Sequence, residues 1–363
     1  MNDRTKDFIF DTFIKLTSKT VPYGTEDKFV EHIFSKLVPK NKLNKDKNGN
    51  YFVKIGKSNT IFASHLDTVS KEYIQVTHVI DGNIIKTDGK TTLGADDKAG
   101  VAIMLWMIVN NVPGLYYFFI GEEVGCIGSG LASKDLNFKN YNKIISFDRY
   151  GTNSVITHQS SQRSTSDIFA DALCDELNTH GFIFEKDSGG VYTDSAEFMG
   201  IIPECTNISV GYYKQHTFQE YQDIDFLSNL ASVCLIVNWD NLPVSRDPSK
   251  VEYKEIYYSV NDYIIDYDDY THTSKKRNRY RKTNKKRDIF YDSGGELVKI
   301  KSKNDFDFSS FKKKEKYEWV IEKYINAHFT WGDLKIIKDC YLDMNSDYDS
   351  SFYEYLKEQI VDF

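Results

Sequence analysis

The segment Phe118-Phe119-Ile120-Gly121-Glu122-Glu123-Val124-Gly125 joins an apolar run to two adjacent carboxylates. The apolar part predicts a strand, in which successive side chains point to opposite faces of a sheet. Two neighbouring acids can therefore serve one site only beyond the end of the strand, where Gly121 and Gly125 allow the backbone to turn. An acidic pair after a strand is usually solvated surface. Whether this pair has a function depends on the side chains that other segments bring to it.

Other apolar segments also end in side chains that can bind metal ions. The strand Thr60–Ser64 is followed by a histidine and an aspartate, and a later strand ends in an aspartate. The side chains concerned, at strand ends and at the start of a long apolar helix, are His65, Asp67, Asp96, Asp148 and His216. Because sites of α/β sheets collect at the carboxyl ends of the strands, we expect these residues to lie near Glu122 and Glu123.

Short apolar strands alternate with amphipathic helices between Phe8 and Asn238. This alternation predicts an α/β domain with a mostly parallel or mixed central sheet and helices on both faces. We include Gly181–Phe184 among its strands. Beyond this domain, the sequence predicts a small, mainly helical appendage. The predicted boundaries are 1–243 for the catalytic domain, 244–310 for a charged linker and 311–363 for the helical region.

The residue types indicate a catalytic metal site. Carboxylates and imidazoles without cysteine suit catalytic Zn²⁺. Asp96 lies in a glycine-flanked turn at a helix start, where its carboxylate could bridge two metals roughly 3.5–4 Å apart. Asp67, two residues after His65, could accept the second imidazole N–H and fix the tautomer. If one acid of the Glu122–Glu123 pair bound a metal, its neighbour could move a proton between a bridging water and the leaving amine.

Six segments in this order resemble the co-catalytic di-zinc peptidases of the peptidase T and leucyl-type aminopeptidase clan. They are SHLDTV (64–69), TTLGADDKAGVA (91–102), GEEVGCIGS (121–129), SFDR (146–149), YTDSAEF (192–198) and TNISVGYYKQHT (206–217). The second segment looks especially like tripeptidase T. The resemblance covers about two thirds of the chain. Single motifs such as HxD carry little information, but the ordered set is specific.

The resemblance implies a zinc-exopeptidase fold with two Zn²⁺ ions, which Co²⁺ or Mn²⁺ could replace. The implied metal ligands are His65, Asp96, Glu123, Asp148 and His216. Asp96 would bridge the two ions. Glu122 would be the general base, and Asp67 would orient His65. Adjacent acids could exchange roles if the turn bends the other way.

Several further residues receive secondary roles. Tyr212 or Tyr213 would stabilise the tetrahedral oxyanion, and spacing does not fix which. Arg149 could bind a substrate carboxylate, and a surface salt bridge is an equal alternative. Asp194 and Asn207 match positions that shape the pocket.

Asp97 and Lys98 are interpreted as a charge pair that opens the helix, not as catalytic groups. Cys126, beside the acid pair, is not expected to be a nucleophile. Peptidase T and its carboxypeptidase relatives carry a lid or dimerisation domain between the positions of Asp148 and His216. The tetrahedral aminopeptidases insert a domain after the position of His65. Both intervals are short here, so we expect a minimal core without a lid domain.

The predicted function is that of a zinc-dependent exopeptidase, with an aminopeptidase acting on short peptides preferred. A carboxypeptidase or an amidohydrolase (deacylase) on the same metal site is the alternative. A non-catalytic binding module is less favoured. It would use the basic run Lys275–Arg287 to contact nucleic acid, although a solvated linker explains that run better.

Composition and cysteine usage predict a soluble, cytoplasmic protein. The net charge is −7, and 40% of residues are hydrophobic. The five cysteines show no paired spacing, which favours reduced thiols. No apolar stretch with a cleavage site follows the charged residues Met1–Lys6, and no window reaches the roughly 18 apolar residues that a membrane span needs. We expect no membrane association, and the oligomeric state stays open.

Overall fold

The computed structural model describes residues 3–253, together with 290–291 and 297–299. The chain divides into two compact units, Met1–Lys254 and Glu255–Phe363. The described residues of the second unit pair two antiparallel strands, Phe290–Tyr291 and Leu297–Lys299. The basic run Lys275–Arg287 and the predicted helical region 311–363 lie outside the described residues, as does most of the predicted linker.

The described part of the first unit contains α-helices and short 3₁₀ segments. The α-helices are α1 (Asp3–Leu16), α2 (Glu26–His32), α3 (Ala95–Val109), α4 (Ile127–Ala132), α5 (Asp167–Asn178) and α6 (Ile224–Cys234). The 3₁₀ segments are Phe34–Lys36, Leu136–Asn140, Asp194–Phe198 and Trp239–Asn241.

The strands of this unit form one large sheet and two smaller ones. In chain order they are β1 (Asn44–Lys45), β2 (Tyr51–Ile55), β3 (Thr60–His65), β4 (His78–Asp81), β5 (Ile84–Thr87), β6 (Gly114–Phe119), β7 (Lys143–Arg149), β8 (Ser154–Ile156), β9 (His158–Gln159), β10 (Gln162–Arg163), β11 (Glu185–Asp187), β12 (Glu204–Ser209), β13 (Tyr212–Tyr213) and β14 (Tyr221–Asp223).

The central sheet has eight strands in the order β1-β2-β6-β3-β7-β12-β8-β11. Its middle strands β6, β3, β7 and β12 are parallel to their neighbours within this group. The pairs β1–β2, β2–β6 and β12–β8 are antiparallel. The sheet is therefore mixed with a parallel centre, which confirms the predicted α/β class.

Helical segments cover both faces of this sheet. The side chains of Phe62 on β3 and Phe118 on β6 lie in the larger core, with residues of α1, α3 and α6. Phe119, one residue further along β6, belongs to a second core with Ala132 of α4 and Phe198 of a 3₁₀ segment. Every residue of β6 is buried. Burial on both faces explains why this strand has an uninterrupted apolar run instead of an alternating one.

A smaller antiparallel sheet has the strand order β13-β14-β5-β4. The hairpin of β4 and β5 occupies the interval between His65 and Asp96. The interval between Asp148 and His216 holds short strands, α5 and one 3₁₀ segment. Within the described residues neither interval forms a separate domain, as the minimal-core prediction required.

The predicted strand Gly181–Phe184 is wrong. The strand in this region is β11, at Glu185–Asp187, which pairs with β8 at the edge of the sheet. The rings of Phe182 and Phe184 instead pack against Phe226 of α6, with centroid separations of 5.5 and 6.3 Å. The apolar residues that suggested a strand therefore pack on a helix. The edge strand β11 is polar, so it shows no apolar pattern from which a strand could be predicted.

The described cysteines are Cys126, Cys174, Cys205 and Cys234, and each is a buried free thiol. Cys340 lies outside the described residues. Within residues 3–253, no helix combines the length and apolar character needed to cross a bilayer.

Candidate metal centre

The carboxyl ends of β3, β6 and β7 and the start of α3 meet at one place. They bring together the side chains that were predicted as metal ligands or as the general base, namely His65, Asp96, Glu122, Glu123, Asp148 and His216. His65 is the last residue of β3, and His216 lies in the loop between β13 and β14. The structure also adds Asp97 to this group. Ligand atoms fall into three sets, each within 4.8 Å: His65 with Glu122 and Glu123, His65 with Asp97 and Asp148, and Asp96 with Glu123 and His216.

Asp96 lies between the two histidines. Its Oδ1 is 3.0 Å from Nε2 of His65, and its Oδ2 is 3.1 Å from Nε2 of His216. The same His216 nitrogen is 3.1 Å from Oε2 of Glu123. Each Asp96 oxygen therefore faces a different imidazole, as a carboxylate that bridges two cations would.

The other carboxylates lie close to the His65 ring. Nε2 of His65 is 3.8 Å from Oδ1 of Asp148 and 3.9 Å from Oε2 of Glu122. The His65 side chain is only 1% exposed, so these charges act on one another with little solvent screening.

The site carries more negative charge than its described neighbours neutralise. Burial raises the pKa values of Glu122, Glu123 and Asp148 above the usual range of carboxyl groups. The buried Oε1 of Glu123 has no hydrogen-bond partner, and the same is true of Oδ1 of Asp194. Buried, unpaired anions are costly. These observations fit residues that divalent cations would hold together.

The histidine pKa values show the same imbalance. Burial disfavours the imidazolium of His65, but the carboxylates of Asp67 and Asp96 outweigh it and raise the pKa well above its ordinary value. Loss of solvation likewise opposes charge on His216, and Glu123 and Asp96 more than compensate for it. Positive charge is thus favoured at both imidazole positions, whether a proton or a metal ion supplies it.

Asp67 orients both the histidine and the acid pair. Its carboxylate oxygens accept hydrogen bonds from the backbone N–H groups of Glu122 and Glu123, each at 3.1 Å. Nδ1 of His65 is 3.0 Å from the backbone oxygen of Asp67 and 3.5 Å from its Oδ1. The closer group to the imidazole is therefore the backbone carbonyl, and the carboxylate also fixes the turn that presents the two glutamates.

Three side chains hold Asp148 in place. Asn207 accepts from the Asp148 N–H at 2.8 Å and donates to its carbonyl oxygen at 2.6 Å. The hydroxyl of Thr193 donates to Oδ2 at 2.7 Å, and the hydroxyl of Tyr212 donates to Oδ1 at 3.1 Å. Asn207 was expected to shape the pocket, whereas nothing in the sequence distinguished Thr193.

The structure separates the remaining candidates. Tyr213 stacks on Tyr221, with ring centroids 5.1 Å apart, while Tyr212 contacts the site. The guanidinium of Arg149, whose side chain is 9% exposed, forms an ion pair with Asp187 at 3.1 Å. Asp194 is buried, and burial raises its pKa to about 7.

Asp97 and Lys98 lie in the first turn of α3, and both are fully buried. One oxygen of Asp97 accepts from the N–H of Gly100 at 3.2 Å and so caps the helical backbone, and the other accepts from the N–H of His65 at 3.2 Å. Lys98 donates to the carbonyl oxygen of Leu66. Burial lowers the pKa of Lys98 to about 8. Their burial has a simple cause: α3 packs onto the sheet along its first turn, so charges there face inward.

Glu220 was missed by the sequence interpretation. Its carboxylate is buried and accepts hydrogen bonds from three backbone N–H groups, those of Leu93, Gly94 and Asp96. Burial raises the pKa of Glu220 to about 7. Its only sequence signal is its position four residues after His216, which does not by itself indicate a role.

Sequence comparison gives one partial match to a curated protein. No protein-family model matches the chain. A curated relative, the uncharacterized protein YqjE of Bacillus subtilis, is 34% identical over 115 residues, so the match spans only 31% of that protein and 30% of this chain.

Two solved structures superpose on the chain. The aminopeptidase PepT of Bacillus cereus is 16% identical, with a TM-score of 0.54 over 63% of this chain and 97% of that one. A tripeptidase of Staphylococcus aureus is 17% identical, with a TM-score of 0.53 over 63% of this chain and 96% of that one. The chain therefore has the fold of these peptidases, as the sequence resemblance implied.

Proposed function

We propose that this protein is a metal-dependent exopeptidase, an aminopeptidase acting on short peptides, with a site for two divalent ions. The observation that carries the proposal is the position of Asp96, whose two oxygens face His65 at 3.0 Å and His216 at 3.1 Å. The superposed structures are an aminopeptidase and a tripeptidase. Their names make short peptides with a free N-terminus the first substrates to test.

The residues divide into two ligand sets that share Asp96. His65 and Asp148 would hold one ion, and Glu123 and His216 would hold the other. Imidazole and carboxylate ligands without cysteine fit catalytic Zn²⁺, and Co²⁺ or Mn²⁺ could take its place. When bound, such ions supply Lewis acidity, which polarises a scissile carbonyl and lowers the pKa of a water molecule.

Glu122 is the residue best placed to move protons. Its Oε2 is 3.9 Å from Nε2 of His65, and Oε1 accepts a long contact, 3.7 Å, from the thiol of Cys126. Because burial raises its pKa, the carboxyl group can hold a proton taken from water and deliver it to the leaving amine. Asp67 fixes the backbone N–H of Glu122 and so keeps this side chain at the site.

Replacement of Glu122 by glutamine tests the assignment. We expect Glu122→Gln to lower the rate of peptide hydrolysis by about 10²–10⁴-fold, the usual contribution of general acid–base catalysis, while both metal ions stay bound. Rates of metal-loaded protein and metal content by elemental analysis are the measurements. The exposed Glu72 offers a matched control, and Glu72→Gln should behave as the wild type. A Glu122→Gln enzyme with wild-type turnover would remove Glu122 from the reaction.

Peptides with free or blocked ends identify the class of exopeptidase. An aminopeptidase requires the free amino group, so N-acetylated dipeptides should be inert and dipeptide amides should be cleaved. Cleavage of the N-acetylated dipeptides but not of the dipeptide amides would indicate a carboxypeptidase. Release of the N-acetyl group would indicate a deacylase. If the protein binds two metal ions but hydrolyses none of these peptides, the proposed function is contradicted. The basic run that a nucleic-acid-binding module would use lies outside the described residues.

A further inference from the structure

The loop that carries His216 has one buried anchor. The loop connects β13 to β14, and its residues 214–219 are exposed or half-buried. His216 itself is 48% exposed at the side chain and has a backbone φ of +62°. Glu220, the last residue of the loop, is only 1% exposed. Hydrogen bonds such as that of the Thr217 hydroxyl to the Lys214 carbonyl oxygen, at 2.7 Å, join residues within the loop, whereas Glu220 binds the loop to another part of the fold.

The turn that leads into α3 has no side-chain acceptor at Gly94 or Ala95, and Asp97 caps only the helical backbone that follows it. Gly94 precedes the helix, has a φ of +74° and carries no side chain, and Ala95 follows it. The backbone N–H groups of this buried turn therefore need an acceptor from elsewhere in the fold. Glu220 supplies the missing acceptor: Oε2 accepts from the N–H groups of Leu93 and Gly94, each at 2.8 Å, and Oε1 accepts from that of Asp96 at 3.0 Å. A carboxylate at this end of a helix is also favoured by the helix dipole.

One side chain therefore connects two ligands of the same proposed ion. Glu220 is four residues from His216 in sequence, and it binds the backbone of Asp96 directly. Hydrogen bonds to a carboxylate are shorter and stronger than neutral ones, so three of them restrain the loop firmly. We propose that Glu220 is a positioning residue that sets the separation between His216 and Asp96 and so builds the second metal site. This inference rests on the proposed function for the presence of metal ions.

The competing explanation is that Glu220 only stabilises the start of α3. A purely structural role would lower stability and leave the two metal affinities in their original ratio. A positioning role predicts a selective loss, in which the site with His216 weakens and the site with His65 does not. The two explanations are therefore distinguished by metal binding measured site by site.

The experiment titrates metal-stripped, full-length protein with Zn²⁺ in a calorimeter and compares Glu220→Gln with the wild type. The glutamine has the same shape, but its amide NH₂ cannot accept from backbone N–H groups. We expect two sites in the wild type, and in the variant one unchanged site and one weakened by about 10–100-fold, the usual effect of losing an orienting partner. Gln219→Ala, an exposed neighbour in the same loop, should titrate as the wild type.

Reference variants identify the affected site. His216→Ala should lose the same site as Glu220→Gln, and adding Glu220→Gln to His216→Ala should weaken the remaining site no further. If Glu220→Gln does not fold, as judged by circular dichroism, Glu220→Asp replaces it. This variant keeps the charge but is one methylene too short, so the same selective loss is expected.

The outcomes distinguish a failure of the positioning role from a failure of the proposed function. Two sites of wild-type affinity in Glu220→Gln, or equal weakening of both sites, would overturn the positioning role alone. Two bound ions without any peptide hydrolysis by the wild type would overturn the proposed function and leave the positioning role standing on the titrations. Wild-type protein that binds no Zn²⁺ would overturn both.

Discussion

At the scale of single residues, the surroundings of Asp148 distinguish two adjacent tyrosines. The Tyr212 hydroxyl donates to Oδ1 of Asp148, and the Thr193 hydroxyl donates to Oδ2, so both oxygens of the carboxylate are oriented. Tyr212 is 2% exposed. Tyr213, one position along the same strand, points to the other face and stacks on Tyr221. Alternation along β13 thus places only one of the two rings at the site.

We predict that Tyr212→Phe weakens metal binding and peptide hydrolysis, each by about 10–100-fold, because it removes a donor that orients Asp148, a proposed metal ligand. Tyr213→Phe is the matched control, since it removes the same hydroxyl from the neighbouring position. Zn²⁺ titration of both variants is the measurement, with hydrolysis rates at saturating metal as the second. Equal behaviour of the two variants would show that the Tyr212 hydroxyl has no part in the site.

At the scale of elements, the approach of α3 to the sheet depends on one glycine. A Cβ at Gly100 would lie 2.3 Å from the carbonyl oxygen of Phe147 on β7 and 2.4 Å from the hydroxyl of Ser64 on β3. It would also lie 2.6 Å from Oδ1 of Asp97, the group that caps the helix. Backbone atoms cannot move aside as a flexible side chain can. The glycine is therefore required where the helix crosses the two strands that carry His65 and Asp148.

We predict that Gly100→Ala lowers the free energy of unfolding by about 1–3 kcal/mol or more, as overpacking of a close-packed interior does. Alanine has the higher intrinsic helix propensity, so a loss of stability would come from the contact and not from the helix. Urea denaturation followed by circular dichroism measures the change.

Gly200→Ala is the control for this substitution. A Cβ there meets nothing within 4 Å, so the change should stay within about 0.5 kcal/mol. An equal effect of the two substitutions would mean that the helix can shift away from the sheet at little cost.

The elements differ in how much of their contribution to the site could be predicted from the sequence. Strand ends that bear His65 and the Glu122–Glu123 pair could be predicted, because each follows a local apolar run with its own periodicity. The inward orientation of Lys98 could not, since a charged residue at a helix start is usually solvated. Glu220 binds N–H groups more than 120 positions away, and only the folded chain brings them together.

At the scale of the whole molecule, the chain after Pro243 belongs with the α/β unit. Glu204 on β12 is fully buried, and its Oε1 accepts from the N–H groups of Ser245 at 2.7 Å and Arg246 at 3.1 Å. The Arg246 guanidinium donates to the carbonyl oxygens of Met199 at 2.7 Å and Ile202 at 2.6 Å. We propose that the catalytic domain extends through the limit of this compact unit, beyond the boundary of 243 that composition indicated.

Further along, the chain pairs with β10. The N–H of Arg163 donates to the carbonyl oxygen of Glu252 at 2.7 Å, and Gln162 forms an isolated bridge with Tyr253. The contacts of this segment are mainly hydrogen bonds to backbone groups, which composition does not reveal. These hydrogen bonds support the proposed later boundary of the domain.

We predict that a chain ending at residue 243 is less stable than one ending at residue 254, with a free energy of unfolding lower by on the order of 3 kcal/mol. The shorter chain leaves the buried carboxylate of Glu204 without two of its donors, and hydrogen bonds to charged groups are worth about 1.5–3 kcal/mol each. Solvent that enters the vacated space would offset part of the loss. Urea denaturation of the two metal-free chains measures the difference.

Arg246→Ala in the longer chain separates the contribution of the guanidinium from that of the peptide backbone. The variant keeps the N–H groups that reach Glu204 but removes the guanidinium that donates to the carbonyl oxygens of Met199, Ile202 and Pro203, so it should lie between the two chains in stability. Lys250→Ala, whose ion pair with Asp247 is exposed, should change stability by no more than about 0.5 kcal/mol. Equal stability of the chains ending at 243 and 254 would place the end of the domain at the boundary that composition indicates, because the contacts of Glu204 and Arg246 would then contribute nothing to folding.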